Sequence, residues 1–252
     1  MIALKLWFDT RFRFYIGLAV MIVLALVLAW AVPAMSRMMI TGIKNAPPSP
    51  GVTAEAKAAM LQIWGSYEMS LDTNWYGVYG GGSVGLLAII MALGGPLAEP
   101  HSVHLTLSLP VRRYRWPIAQ AVLTIGLTVT MLLVSTAVLM AVGALLGHTY
   151  PPGRAALNVL LCVVPNVAWV GLTLAVGSYT LDTARTALVV IPARIISVPL
   201  LKLPFARAWD LGSLGRPISM HPALTWRPLL LLIVCAVGGV ALAARRFQRL
   251  DY

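Results

Sequence analysis

Acidic side chains are scarce in this chain. Its 252 residues hold 8 Asp and Glu against 19 Lys and Arg, and charged residues make up only 11% of the total. A soluble globule needs more polar surface than that, because its exterior must be clothed in groups that water solvates. With 59% hydrophobic residues, the chain reads as an integral membrane protein. Cysteine is nearly absent as well: Cys162 and Cys235 both fall inside apolar runs, so no disulfide framework is implied. No G-x-x-x-x-G-K-[ST] string is present to hold nucleotide phosphates, and any ATP hydrolysis linked to this protein belongs to another chain. His101, His104, His148 and His221 all lie between the apolar runs, which leaves none within the runs for a buried nucleophile to use.

What the chain does have is six apolar runs bracketed by charge, at 14–36, 74–98, 116–147, 155–181, a broken 186–201, and 228–244. About 20 apolar residues cross the roughly 30 Å hydrocarbon core, so the runs predict an all-α integral membrane protein with six transmembrane helices. The first run is too long for a removable signal peptide and lacks a small-residue cleavage site, which makes it an anchor. Basic residues next to membrane ends orient such proteins. With a cytoplasmic amino terminus the inner side holds Lys5, Arg11, Arg13, Arg112, Arg113, Arg115, Arg185, Arg245, Arg246 and Arg249. The outer side then holds Arg37, Lys44, Lys57, Arg154, Lys202, Arg207, Arg216 and Arg227. The inner groups crowd against membrane ends, so both termini are expected in the cytoplasm. The formal charge of +11 then meets anionic lipid head groups, with no nucleic-acid partner required.

Residues 1–14 mix Leu6, Trp7, Phe8, Phe12 and Phe14 with Lys5, Arg11 and Arg13. That composition suits an amino-terminal interfacial helix, the alternative being the plain juxtamembrane end of the first span. An outer segment at 37–73 carries a turn-rich stretch at 45–51, then Ala56, Met60, Ile63, Trp64 and Tyr67 at helical spacing. Residues 203–226 are too rich in Pro and Gly to span and read as an outer loop with short interfacial helices. Gly94-Gly95-Pro96 and Pro165, Pro192 and Pro199 predict bends in the second, fourth and fifth runs.

Two patterns imitate catalytic sites. Gly81-Gly82-Ser83-Val84-Gly85 matches G-x-S-x-G, but it opens an apolar helix instead of turning from a strand into one. Small residues there fit close helix packing better than nucleophilic catalysis. Glu99, His101 and His104 offer metal-ligand types on one loop without a further component to complete a site, so polar helix surface is the preferred reading and no metal is expected.

The segment 98–116 is the best functional clue. Glu99 and Ser102 precede an apolar stretch with Leu105, Leu107 and Leu109, which closes on Pro110-Val111-Arg112-Arg113. This resembles the loop between the second and third helices of the membrane subunits of type-2 ABC exporters, where an acidic residue, Gly-Thr and a leucine-rich helix end in Pro-Val-Ser-Arg. His101 stands where glycine is usual, and His104 where an acid is common. The ending Arg245-Arg246-Phe247-Gln248-Arg249-Leu250-Asp251 is similar to that family's ending. The resemblance implies a permease that pairs with a second copy or a relative and is coupled to separate cytoplasmic ABC-type ATPase subunits. ATP and Mg would bind on that partner, with no cofactor and no catalytic residue on this chain. It implies a partner contact through Glu99, His101, Ser102, Val103, His104, Leu107, Pro110 and Arg113. In the family the second and fifth helices face the pathway, which makes Tyr79, Ser83 and Arg194 the candidates for substrate contact. A six-helix secondary transporter or a membrane scaffold without an ATPase is the competing reading; the first would be expected to carry ionisable residues at depth, and Arg194 is the only one inside an apolar run.

Overall fold

The computed structural model describes residues 2–45, 53–94, 114–200, 203–204, 206–217 and 226–249. Among them the protein is all-α, and six helices are long and apolar enough to cross a membrane. Helix α1 runs Ile2–Asn45, α2 Ala54–Gly65, and α3 Tyr67–Ala92. The remaining spans are α4 Arg115–Leu145, α5 Pro152–Thr180, α6 Thr183–Leu200 and α7 Trp226–Gln248. Two spans contain stretches of wider, π-type winding, Asp72–Tyr79 in α3 and Val234–Gly238 in α7.

Helix α1 differs in extent from the expectation. Its 44 residues form one unbroken helix, so the aromatic and basic start is helical and leads straight into the span. At 1.5 Å per residue it is about 66 Å long, roughly twice the hydrocarbon thickness. One face, with Met21, Ala25, Leu28, Ala29 and Val32 at helical spacing, shares a buried cluster with Leu132 and Leu139 of α4. The opposite face exposes Ile16, Val20, Val23, Val27 and Trp30, as a lipid-facing helix does. The outer segment supplies the expected short helix, α2, whose amino end is capped by Thr53 accepting from the Ala56 N–H at 3.2 Å. The second span begins at Tyr67, earlier than hydropathy placed it.

Helix α5 is the centre of the bundle. In its most apolar window 61% of residues are buried, against 11% for α6, which lies at the periphery. Glycine makes that central position possible at one crossing: a Cβ on Gly171 would sit 2.3 Å from the Cys235 carbonyl oxygen, and one on Gly239 would sit 2.4 Å from the Gly171 oxygen. Helices α5 and α7 therefore touch backbone to backbone. Three buried hydroxyls are satisfied within their own helices, Thr128 donating to Thr124 O at 2.7 Å, Ser135 to Met131 O at 2.8 Å and Thr173 to Trp169 O at 2.7 Å. Such back-bonding lets a hydroxyl sit on a membrane helix without a partner from another element.

Both ends of the described chain lie at one end of the bundle. Lys5 stands over the Trp116 ring at 5.7 Å, and Ala243 shares a cluster with Ala92 and Ala121. The carboxyl end of α3 is held there from two sides, because Arg13 of α1 donates to Ile90 O at 3.2 Å and Gln120 of α4 donates to Met91 O at 3.0 Å. The opposite end carries the contacts Ser36–Ser70 at 3.2 Å and the stack of Tyr67 on His148 at 4.5 Å.

Candidate functional site

A cavity of about 380 Å³ lies between α3, α5 and α6, and a loop closes one side. The wall from α3 is the wide stretch with Tyr76, Gly77 and Val78, followed by Gly82. Helix α5 contributes Cys162, Pro165 and Trp169, and α6 contributes Arg194, Ser197 and Val198. The loop belongs to residues 203–226, whose described part folds into two 3-10 turns, Arg207–Trp209 and Leu211–Gly215. It is clamped onto α5: Leu211 and Leu214 bury with Ala168, and a Cβ on Gly215 would meet Pro165 Cγ at 2.8 Å. Asp210 shapes the turn by accepting from the Gly212 N–H at 2.9 Å, and it faces Arg216 at 3.8 Å.

Arg194 gives the cavity its charge. It lies eleven residues past Thr183 and six before Leu200, about 17 Å and 9 Å from the two ends of α6. Its guanidinium rests over the Trp169 ring at 5.5 Å, a cation–π contact. Its Nε is buried and has no hydrogen-bond partner among the described residues, and no carboxylate lies within ion-pair distance. Asn166 is 2% exposed, and although its Nδ2 donates to Cys162 O at 2.7 Å, its Oδ1 is also unpartnered. Both groups crowd the place where Gly85 lacks a side chain: a Cβ there would lie 2.7 Å from Asn166 Oδ1 and 3.0 Å from Arg194 Nε.

A second polar cluster sits at the end of the bundle away from the termini. The carboxylate of Asp72 is wholly buried, and Tyr150, Arg154 and Asn158 all donate to it, Asn158 at 2.9 Å. Arg154 also reaches Glu68 at 2.8 Å, and Asn158 donates to the Tyr150 oxygen at 2.9 Å. Burial pushes the Tyr150 hydroxyl well above its ordinary pKa, and its hydrogen bond to the Asp72 carboxylate adds to the shift. The sequence-based statement that Arg194 is the only ionisable residue at depth is corrected by this cluster. Asp72 belongs to the second span, which hydropathy began at 74 because the residues before it are polar. A usable signal was present: Glu68 and Asp72 are four apart on one helix, Arg154 and Asn158 four apart on another, which is how two polar stripes meet across a helix pair.

Of the residues singled out from sequence, Arg194 lines the cavity. Ser83 is half-buried on α3, next to Gly82 but outside the lining. Tyr79 ends the wide stretch of α3, and its side chain lies outside the described part. Glu99, His101, Ser102, Val103, His104, Leu107, Pro110 and Arg113 lie outside the described residues. Sequence reasoning missed Asn166 and Gly85, which meet Arg194 from far along the chain, and Asp210 and Arg216, which face each other within one loop. Among the described residues no group of three or more His, Cys, Asp or Glu side chains could hold a metal. No protein family, curated protein or solved structure matches the chain.

Proposed function

We propose that this protein is the transmembrane subunit of an ATP-driven exporter of the ABC type, in a bacterial plasma membrane with both termini cytoplasmic. Two copies, or one copy and a relative, would form the pathway, with cytoplasmic ATPases docked on residues 98–116. One observation carries the reading beyond the resemblance. Helix α3, whose inner end leads toward Glu99, also supplies a wall of the cavity through Tyr76, Gly77, Val78 and Gly82. Side chains from α1 and α4 hold that inner end, through Arg13 on Ile90 O and Gln120 on Met91 O. A force applied to the loop would therefore move a braced rod that ends at the cavity, the element a coupled transporter needs.

Purification from the native membrane supplies the test. Tagged protein should bring with it a soluble chain that carries G-x-x-x-x-G-K-[ST] and hydrolyses ATP, and the pair Val103→Asp with Leu107→Asp should lose that chain while staying inserted. An undiminished complex in the double variant refutes the contact. For orientation, an impermeant thiol reagent applied to intact cells should label a cysteine placed at Ser49 and spare one at Ser108; the reverse pattern overturns it. The buried Asp72 favours one competing reading, a secondary transporter, since intramembrane carboxylates mark ion pathways. Transport by the purified chain alone under a proton gradient, without ATP, would establish that reading instead.

A further inference from the structure

We propose that the cavity of Arg194 binds the anionic head group of an amphiphile, which enters sideways from the lipid through a gap between α3 and α6. This deepens the exporter reading and rests on it for the claim that the bound molecule is cargo.

The gap follows from how the two helices pack. Toward the termini, Ile89 and Leu93 of α3 bury with Val190 of α6. Farther along, the facing residues are Val78 and Gly82 on α3 and Arg194, Ser197 and Val198 on α6, and these line the cavity. Val78 is 57% exposed and Val198 46% exposed, so the mouth is flanked by apolar side chains that face the membrane. A Cβ on Gly82 would meet nothing within 4 Å, which shows open space on the α3 wall. The volume, about 380 Å³, lies within the roughly 300–1,000 Å³ typical of small-molecule sites.

The charge selects the head group. Two guanidiniums line the cavity against one carboxylate, and Asp210 is engaged by the Gly212 N–H and faces Arg216. Arg194 is left with an aromatic face and a buried, unsatisfied Nε–H. A bare guanidinium at that depth is costly unless something satisfies it. A phosphate or carboxylate oxygen would do so, and charge-assisted pairing with arginine is the strongest such contact available. Asn166, more than nine-tenths buried behind the lining, keeps an unpartnered Oδ1 in the same space beside Gly85 as Arg194 Nε. The apolar mouth then accounts for the chains. A free inorganic anion would have no use for a hydrocarbon-facing entrance.

Native mass spectrometry of the purified full-length protein, titrated with phosphatidylglycerol, phosphatidylcholine or glycerol 3-phosphate, tests the proposal. Phosphatidylglycerol should bind about tenfold or more tightly than the other two. Arg194→Gln should abolish that preference, while Arg185→Gln, at the exposed amino end of the same helix, should keep it. Should Arg194→Gln fail to fold, Gly82→Phe fills the open space while keeping the arginine and should weaken phosphatidylglycerol about tenfold. Phosphatidylcholine binding as tightly overturns the charge selection, glycerol 3-phosphate binding as tightly overturns the amphiphile, and unchanged binding in Gly82→Phe overturns the site. All three are read without an ATPase present. A loss here with an intact ATPase complex would sink the ligand and spare the exporter, and the converse result would do the opposite.

Discussion

Arg154 and Arg194 are both arginines on spanning helices, and their surroundings are opposite. Arg154 lies near the amino end of α5, paired with Asp72 and Glu68 and standing 5.9 Å from the Tyr150 ring centre. Arg194 sits mid-helix on α6 with an aromatic ring and, among the described residues, no carboxylate within 4 Å. The difference separates two uses of charge in a bundle. The Nε of both is buried without a hydrogen-bond partner, so the contrast lies in their charge partners: a guanidinium held by two carboxylates joins helices, whereas one beside a cavity with no described carboxylate within 4 Å retains recognition capacity. The first should matter to folding and the second to binding.

The largest effect should come from Asp72→Ala, which leaves Arg154 with the half-exposed Glu68 alone and takes the shared carboxylate acceptor from Tyr150 and Asn158. Removing one member of a buried ion pair costs about 3–5 kcal/mol, so unfolding in detergent should shift by that order. A loss under about 1 kcal/mol, the size of a surface pair, would remove the structural role. Gly171→Ala comes next, because its Cβ would stand 2.3 Å from the Cys235 oxygen. The backbone must give way, at about 1–3 kcal/mol, and unfolding curves should show α7 loosening whether or not the Asp72 cluster is intact.

Tyr150→Phe should cost about 1 kcal/mol near neutral pH, one buried hydrogen bond. Its pH dependence sharpens the comparison. In the fold the hydroxyl stays protonated because burial and the Asp72 carboxylate raise its pKa. In the unfolded chain it ionises near pH 10, so its stabilisation is whole below about pH 10 and falls away as pH rises toward the folded value. Wild type should lose stability above about pH 10 more steeply than Tyr150→Phe, and equal slopes would deny the shift. The smallest effect on stability should be that of Arg194→Leu, near zero or slightly stabilising, since no ion pair is broken. A large destabilisation there would make Arg194 structural and erase the contrast with Arg154.

Hydropathy made the six spans legible, since a run of apolar residues either fits the bilayer or does not. Its errors fell where helices outlast the hydrocarbon. Helix α1 continues to Asn45 past Arg37, and α3 begins at Tyr67 although Glu68 and Asp72 follow. In α3 the partner is Arg154 of another helix, whereas Arg37 of α1 donates to Pro33 O of its own helix at 3.3 Å. The cavity was legible in one residue, because an arginine inside an apolar run stands out by cost alone. Its companions did not stand out. Asn166 looks like ordinary helix polarity, and Gly85 matters only because Arg194, more than a hundred residues later, needs the volume it leaves.

The wide winding of Asp72–Tyr79 means that α3 holds surplus chain. Ordinary helix turns about 100° per residue, so deleting a residue from α4 would swing every later side chain off its partner. In α3 the surplus absorbs such a loss. Removing Gly77 would let the stretch rewind as ordinary helix, with Asp72 still on Arg154 above it and Ile89 still packed with Val190 below. Length, which is rigidly set in an evenly wound helix such as α4, is negotiable at the wall of the cavity.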